Sequence, residues 1–170
     1  EPGTRTTFLA LRFLAAGLRR GERALFVSTR EDRDAIRRIC QREPVLRDVC
    51  LDADGRFAPD FRVVYLHPEF IAPGKFTWDL VRLCQGGHAG NERLPVARLA
   101  FDNIYRLADR FPLITEQRFL IAAMLDMLRY QGVTPLLVDM VPSGTNGGGS
   151  DFDPSPYLAG FDNVLHLFFQ

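Results

Sequence analysis

Glu1-Pro2-Gly3-Thr4-Arg5-Thr6-Thr7 runs directly into Phe8-Leu9-Ala10-Leu11-Arg12-Phe13-Leu14-Ala15-Ala16-Gly17. A short Gly/Thr-rich turn thus opens into an amphipathic helix whose N-terminus is free to meet an anion. Backbone N–H groups and the helix dipole favour negative charge at such a place. Phosphate-binding loops follow the pattern G-x-x-x-x-G-K-[ST]. With Thr7 as the closing hydroxyl, Thr6 stands at the lysine position and Arg5 at the second glycine. The first glycine would fall one residue before Glu1. The stretch has the layout of a phosphate loop and lacks part of its chemistry, so the remaining chain has to decide how it is read.

Working outward, the periodicity predicts a helix over residues 6–20, with Leu9, Phe13, Leu14 and Leu18 at helical spacing and Gly21 just past its end. Ala24–Ser28 is a short, continuously apolar run, the pattern of a strand covered on both faces. A helix over 32–42 follows, stopped by Pro44, then a polar turn region over 52–60 built on Asp54-Gly55 and Pro59. Arg62–Leu66 reads as a second strand, closed by His67-Pro68. A helix over about 76–85 carries Phe76, Leu80, Val81 and Cys84 on one face, and Gly86–Asn91 is a flexible connector. Val96–Asp102 is a third strand ending in a carboxylate.

Further on, a helix over about 115–131 has Thr115 as N-cap, with Phe119, Leu120, Ala123, Met127 and Leu128 as its core stripe and Gly132 at its end. Val133–Met140 is a fourth strand, in which Pro135 must sit near the start or at an edge. Residues 142–156, rich in Pro, Gly, Ser and Asn, form a flexible loop, and Asp162–Phe169 is a final strand. Strands alternating with helices argue for an α/β protein with a largely parallel sheet.

The 170 residues fit one domain, and 46% hydrophobic with 25% charged residues is the composition of a globular protein. The formal net charge of +0 gives no global pull toward nucleic acid or an anionic membrane. Lys75 is the only lysine, so none stands near Thr6 in sequence. Cys40, Cys50 and Cys84 are widely spaced, without a zinc pattern, and read as buried thiols of a reducing cytoplasm. No run of about 18 apolar residues suggests a membrane span.

Four features therefore fall in one order: the Gly/Thr-rich turn and helix; an apolar strand leading into Thr29-Arg30-Glu31-Asp32; an apolar strand ending at Asp102; and a helix leading into Val133–Met140. In that order the chain resembles the RecA-type ATPase domain of the KaiC/RadA family. Pro2-Gly3-Thr4 through Phe13-Leu14 aligns without a gap on the family's PGTGKTTLALQFL run. Leu25-Phe26-Val27-Ser28 before an acidic turn is similar to its LYVSFEE strand. Arg98–Asn103, Gln117–Leu120 and Gln131–Leu137 resemble its Walker B strand, the following helix and the sensor strand. Leu158–Leu165 resembles its LADGVIRL ending. The similarity is collinear over nearly the whole chain.

The resemblance implies a three-layer RecA-like P-loop NTPase fold over residues 1–170, mostly parallel, with helices on both faces. That fold places a central strand before the loop, and it is absent from this sequence. The resemblance also implies ATP and Mg²⁺ as ligands. Gly3, Thr4, Arg5, Thr6 and Thr7 take nucleotide-binding positions. Thr7 and Asp102 take the metal positions, and Glu31 takes that of the second of two catalytic glutamates, Arg30 replacing the first. Thr6 brings no charge to the phosphates, Arg5 resists the backbone conformation that the glycine allows, and Arg30 cannot activate water.

The reading is a degenerate KaiC-like ATPase domain that acts as a regulatory or assembly module, forming homo-oligomers or joining related ATPase subunits. Its alternative is an active, atypical ATPase in which Arg5 or a neighbouring subunit replaces the lysine. A recombinase-like DNA-binding protein is the weaker third. Loop 142–156 carries Asp151 and Asp153 and no basic residue, and Arg106 and Arg110 are too few, so the sequence argues against DNA.

Overall fold

β1 (Arg23–Ser28) is buried at every position and forms the middle of the molecule. It pairs in parallel with β2 (Phe61–Tyr65) on one side and β3 (Val96–Asp102) on the other, and β3 pairs in parallel with β4 (Thr134–Val138). The sheet order is β2-β1-β3-β4. Among the described residues five α-helices accompany it: α1 (Thr4–Leu18), α2 (Arg33–Arg42), α3 (Pro44–Cys50), α4 (Pro73–Cys84) and α5 (Ile114–Tyr130), with a 3₁₀ turn at Pro68–Phe70. The computed structural model describes residues 4–70, 73–85, 95–103, 114–138 and 162–163, and within these the side chains of 4, 5, 68, 73, 74 and 114–120 are not described.

The pleat of β1 explains the two cores. Ala24 and Phe26 join Ala10, Leu11 and Leu14 of α1, Ile36 and Cys40 of α2, and Leu46 and Cys50 of α3. Leu25 and Val27, pointing the other way, join Phe76, Leu80 and Cys84 of α4 and Ile121, Met124, Leu125 and Leu128 of α5. β3 repeats the division, Ala100 going to the first core and Leu99 and Phe101 to the second. Alternate residues of a strand point to opposite faces. Both faces are therefore covered by helices, as the continuous apolarity of Ala24–Ser28 predicts.

Most of the expected elements are present, with shifts at their ends. α1 starts two residues earlier than expected and ends at Leu18, where Gly21 takes a left-handed φ of 76°. Arg5 therefore lies within helix, and the left-handed backbone expected to exclude a β-carbon there is not required. Pro44 does stop α2, but it also begins α3, a helix the sequence reading left out. Glu43 is extended (φ −106°, ψ 108°), as a residue before proline prefers, and the proline occupies the first turn, where no N–H is needed. Asp32 caps α2 by accepting a 2.7 Å hydrogen bond from the Ala35 N–H.

α5 differs more. Thr115 lies inside its first turn rather than at the cap. Among its described side chains Leu128 is buried as expected, together with Ile121, Met124 and Leu125, and Phe119 and Leu120 lie outside the described side chains. Ala123 and Met127, expected in the core, are only half-buried. The sequence of this helix is apolar around most of its circumference, so periodicity alone does not choose the face; contact with α4 and the sheet does. Gly132, with φ 71°, ends it as expected, and Pro135 is the second residue of β4, near the strand start as expected. The connector at 86–91, the loop at 142–156, Arg106, Arg110 and the final strand beyond 163 lie outside the described residues.

Candidate functional site

In parallel α/β sheets, ligands bind beyond the carboxyl ends of the strands. Here that rim is made by Ser28 and Thr29 after β1, Asp102 and Asn103 after β3, and Val138 of β4. Ser28 and Asp102 are direct neighbours in the ladder. The Thr29 N–H donates to the Asp102 carbonyl at 3.2 Å, and its hydroxyl donates to the Asn103 carbonyl at 2.9 Å. The Asn103 N–H donates to the Val138 carbonyl at 2.9 Å, and Asn103 itself adopts φ 69°. Asn tolerates this left-handed backbone better than most residues. The rim is thus tied across three strands by hydrogen bonds.

Onto this rim α1 lowers Thr7. Its hydroxyl donates a 2.8 Å hydrogen bond to Asp102 Oδ2, joining residues 95 positions apart, and both residues are 1% exposed. α1 is held in place by Ala10, Leu11 and Leu14 against the sheet. One helical turn before Ala10 and Leu11, the same face presents Thr7 toward the strand ends. Burial pushes the Asp102 carboxyl above the usual carboxylate value. The Thr7 hydrogen bond and the Arg30 charge oppose that rise, and the Glu31 charge adds to it.

The segment after β1 wraps the same corner. The Ser28 hydroxyl oxygen accepts from the Arg30 N–H at 3.1 Å and from the Glu31 N–H at 2.9 Å. Ser28 is fully buried. This two-armed turn fixes the backbone of Arg30 and Glu31 at the end of β1, near enough that both charges act on Asp102. Of the residues read from sequence, the structure therefore brings together Thr7, Asp102 and Glu31. Thr6 is half-buried one residue away on α1. Thr4 and Arg5 lie in the first turn of α1, their side chains outside the described set, and Gly3 lies outside the described residues.

Ser28, Thr29 and Asn103 took no part in the candidate set, although each shapes the site. A buried hydroxyl closing an apolar strand before a charged turn is the signal for Ser28. An Asp-Asn pair leaving a strand is the signal for Asn103.

The pair of one hydroxyl and one carboxylate fits a hard divalent cation that takes its other ligands from phosphate oxygens and water. It does not fit a metal held by protein alone: among the described residues no group of three or more His, Cys, Asp or Glu comes together. No family model matches the chain, and no curated protein matches it.

Proposed function

We propose that the chain is a RecA-type nucleotide-binding domain akin to the KaiC/RadA ATPases, one that binds a magnesium nucleotide with little or no hydrolysis and serves as a regulatory or assembly module. The observation that carries this reading is the buried Thr7–Asp102 hydrogen bond beneath the start of α1. A helix N-terminus, a hydroxyl and a strand-end carboxylate converge there, which is the minimum that a phosphate-bound Mg²⁺ requires. Bound Mg²⁺ would supply neutralisation of phosphate charge. Thr7 would offer it an oxygen, and Asp102 would orient a water of its shell. A divalent cation would also offset the burial that raises the Asp102 carboxyl.

What argues against turnover is chemical. Thr6 supplies no fixed charge, and Arg30 stands where the resemblance places a water-activating glutamate. Glu31 remains as the one carboxylate of the turn. Such a domain would act through association with copies of itself or with related subunits, in a cytoplasmic setting that suits its three buried free thiols.

Isothermal titration with ATP and Mg²⁺, combined with phosphate-release measurement, tests the reading. Magnesium-dependent binding that is lost in Thr7→Val and Asp102→Asn, without phosphate release, is expected. Micromolar affinity accompanied by steady phosphate release overturns it in favour of an active ATPase. Nucleotide heats unchanged in both variants remove the site assignment.

A further inference from the structure

At the β2 end of the same rim, two strands from Asp102, lies a second feature. The first turn of α2, the 52–57 turn and the end of β2 enclose an open groove of about 710 Å³. Arg33, Arg37, Arg56, Phe57 and Tyr65 line it together with Asp32 and Asp34. Both carboxylates are engaged internally: Asp32 caps α2, and Asp34 pairs with Arg37 at 3.0 Å. Among the described residues neither Arg33 nor Arg56 has a carboxylate partner. The Arg33 guanidinium lies over the Phe57 ring, 5.7 Å from its centroid, and that ring is fixed edge-on against Phe61 at 5.5 Å.

The groove continues onto a row of exposed rings. Tyr65 contacts His67 at 6.1 Å between centroids, and His67 contacts Phe70 at 5.0 Å. Phe70 is 83% exposed and Tyr65 38%. Aromatic residues and arginines are enriched where proteins meet, and an exposed apolar cluster rimmed by polar groups marks such a place.

We propose that this groove and its rings dock an acidic segment of a partner protein, one carrying an aromatic residue among its carboxylates. Charge complementarity selects that occupant. Two guanidiniums without a carboxylate partner among the described residues call for carboxylates, and the ring row calls for an apolar or aromatic side chain. The openness of the groove suits an extended segment better than a small molecule, which binds where most of its surface is enclosed. Nucleic acid is disfavoured because only Arg33 and Arg56 of this lining lack a carboxylate partner among the described residues. Phosphate-backbone binding scales with the number of cations engaged, whereas a short acidic segment needs only two carboxylates set against them. The proposal does not depend on nucleotide binding at Thr7 and Asp102.

Fluorescence anisotropy on the full chain tests it with four labelled probes: a short glutamate-rich peptide with a central tryptophan, its lysine-for-glutamate copy, its alanine-for-tryptophan copy, and an oligothymidylate. Binding of the first probe alone, weakened by salt, is expected. Arg33→Ala, Arg56→Ala and Phe70→Ala should each weaken it by about fivefold to tenfold. All three side chains are exposed, so unchanged circular dichroism should show that the fold is kept. Failure of the acidic aromatic peptide to bind overturns the proposal. So do equal binding of the lysine copy, full affinity in all three variants, and oligothymidylate binding that the arginine variants abolish.

Discussion

Replacing Thr7 by Val keeps the shape of a buried helical side chain and removes only the hydroxyl that donates to Asp102. A hydrogen bond to a charged acceptor contributes about 1.5–3 kcal/mol net, against about 0.5–1.5 kcal/mol for a neutral pair. Both partners are 1% exposed, so water does not replace the lost donor cheaply. At neutral pH the variant should lose about 1.5–3 kcal/mol of the roughly 5–15 kcal/mol that stabilises a domain. With urea slopes of about 1–3 kcal/mol per molar, the unfolding midpoint should fall by roughly 1 M. A double-mutant cycle with Asp102→Asn separates the pair from its surroundings, and its interaction energy should reach about 1.5 kcal/mol or more. A value below about 0.5 kcal/mol, the ordinary scatter of additive sites, would refute the claim that this bond ties α1 to the strand ends.

The pH dependence of Asp102 gives a second test. Its carboxyl is raised by burial, so the folded state keeps a proton that the unfolded chain releases. The stability this group contributes is full below the unfolded value and is lost as pH rises through the folded value. Asp102→Asn removes that loss, so urea melts from acid to neutral pH should show the variant gaining on the wild type as pH rises; a constant difference contradicts the burial argument.

Gly17→Ala should destabilise although alanine favours helix by about 1 kcal/mol. The added carbon would stand 2.6 Å from Arg98 Cδ and 2.7 Å from a Glu22 carboxylate oxygen. It would displace an Arg98 that bonds Glu22, lies 5.0 Å over Phe13 and donates to the Phe13 carbonyl. A higher melting temperature would show that this cluster yields easily. Phe101→Ala should cost about 3–5 kcal/mol, since Phe101 is fully buried and packs edge-on against Phe76 at 5.8 Å. Chemical denaturation measures it, and a loss under about 1 kcal/mol would mean that the second core collapses around the gap.

Much of the architecture was legible in the residues because the signals were local. Continuous apolarity in Ala24–Ser28 foretold a strand covered on both faces, and Val96–Asp102 has the bounds its sequence suggests. Gly21 and Gly132 marked helix ends, where their positive φ is needed. α3 was missed because a proline that ends one helix is also well suited to begin another, and sequence does not say which role dominates. The buried face of α5 was only partly legible: Leu128 is buried as its sequence suggests, while Ala123 and Met127 are half-buried, because a helix apolar on most sides takes its orientation from α4 and the sheet.

The candidate site divides in the same way. By itself the sequence determined the kinds of groups available: a hydroxyl early in α1, a carboxylate at the end of β3, and charges in the turn after β1. Spacing along the chain could not place them together, since 95 residues separate Thr7 from Asp102. The tertiary structure decided that. Parallel strands bring their carboxyl ends to one rim, and packing of α1 on the first core turns Thr7 toward Asp102. Burial raises the carboxyl, and the buried Ser28 hydroxyl holds the turn carrying Arg30 and Glu31, whose charges act on it. The opening Gly/Thr-rich stretch supplies a helix start and a hydroxyl; their convergence with Asp102 is a property of the fold, because only the fold removes water and fixes the distance.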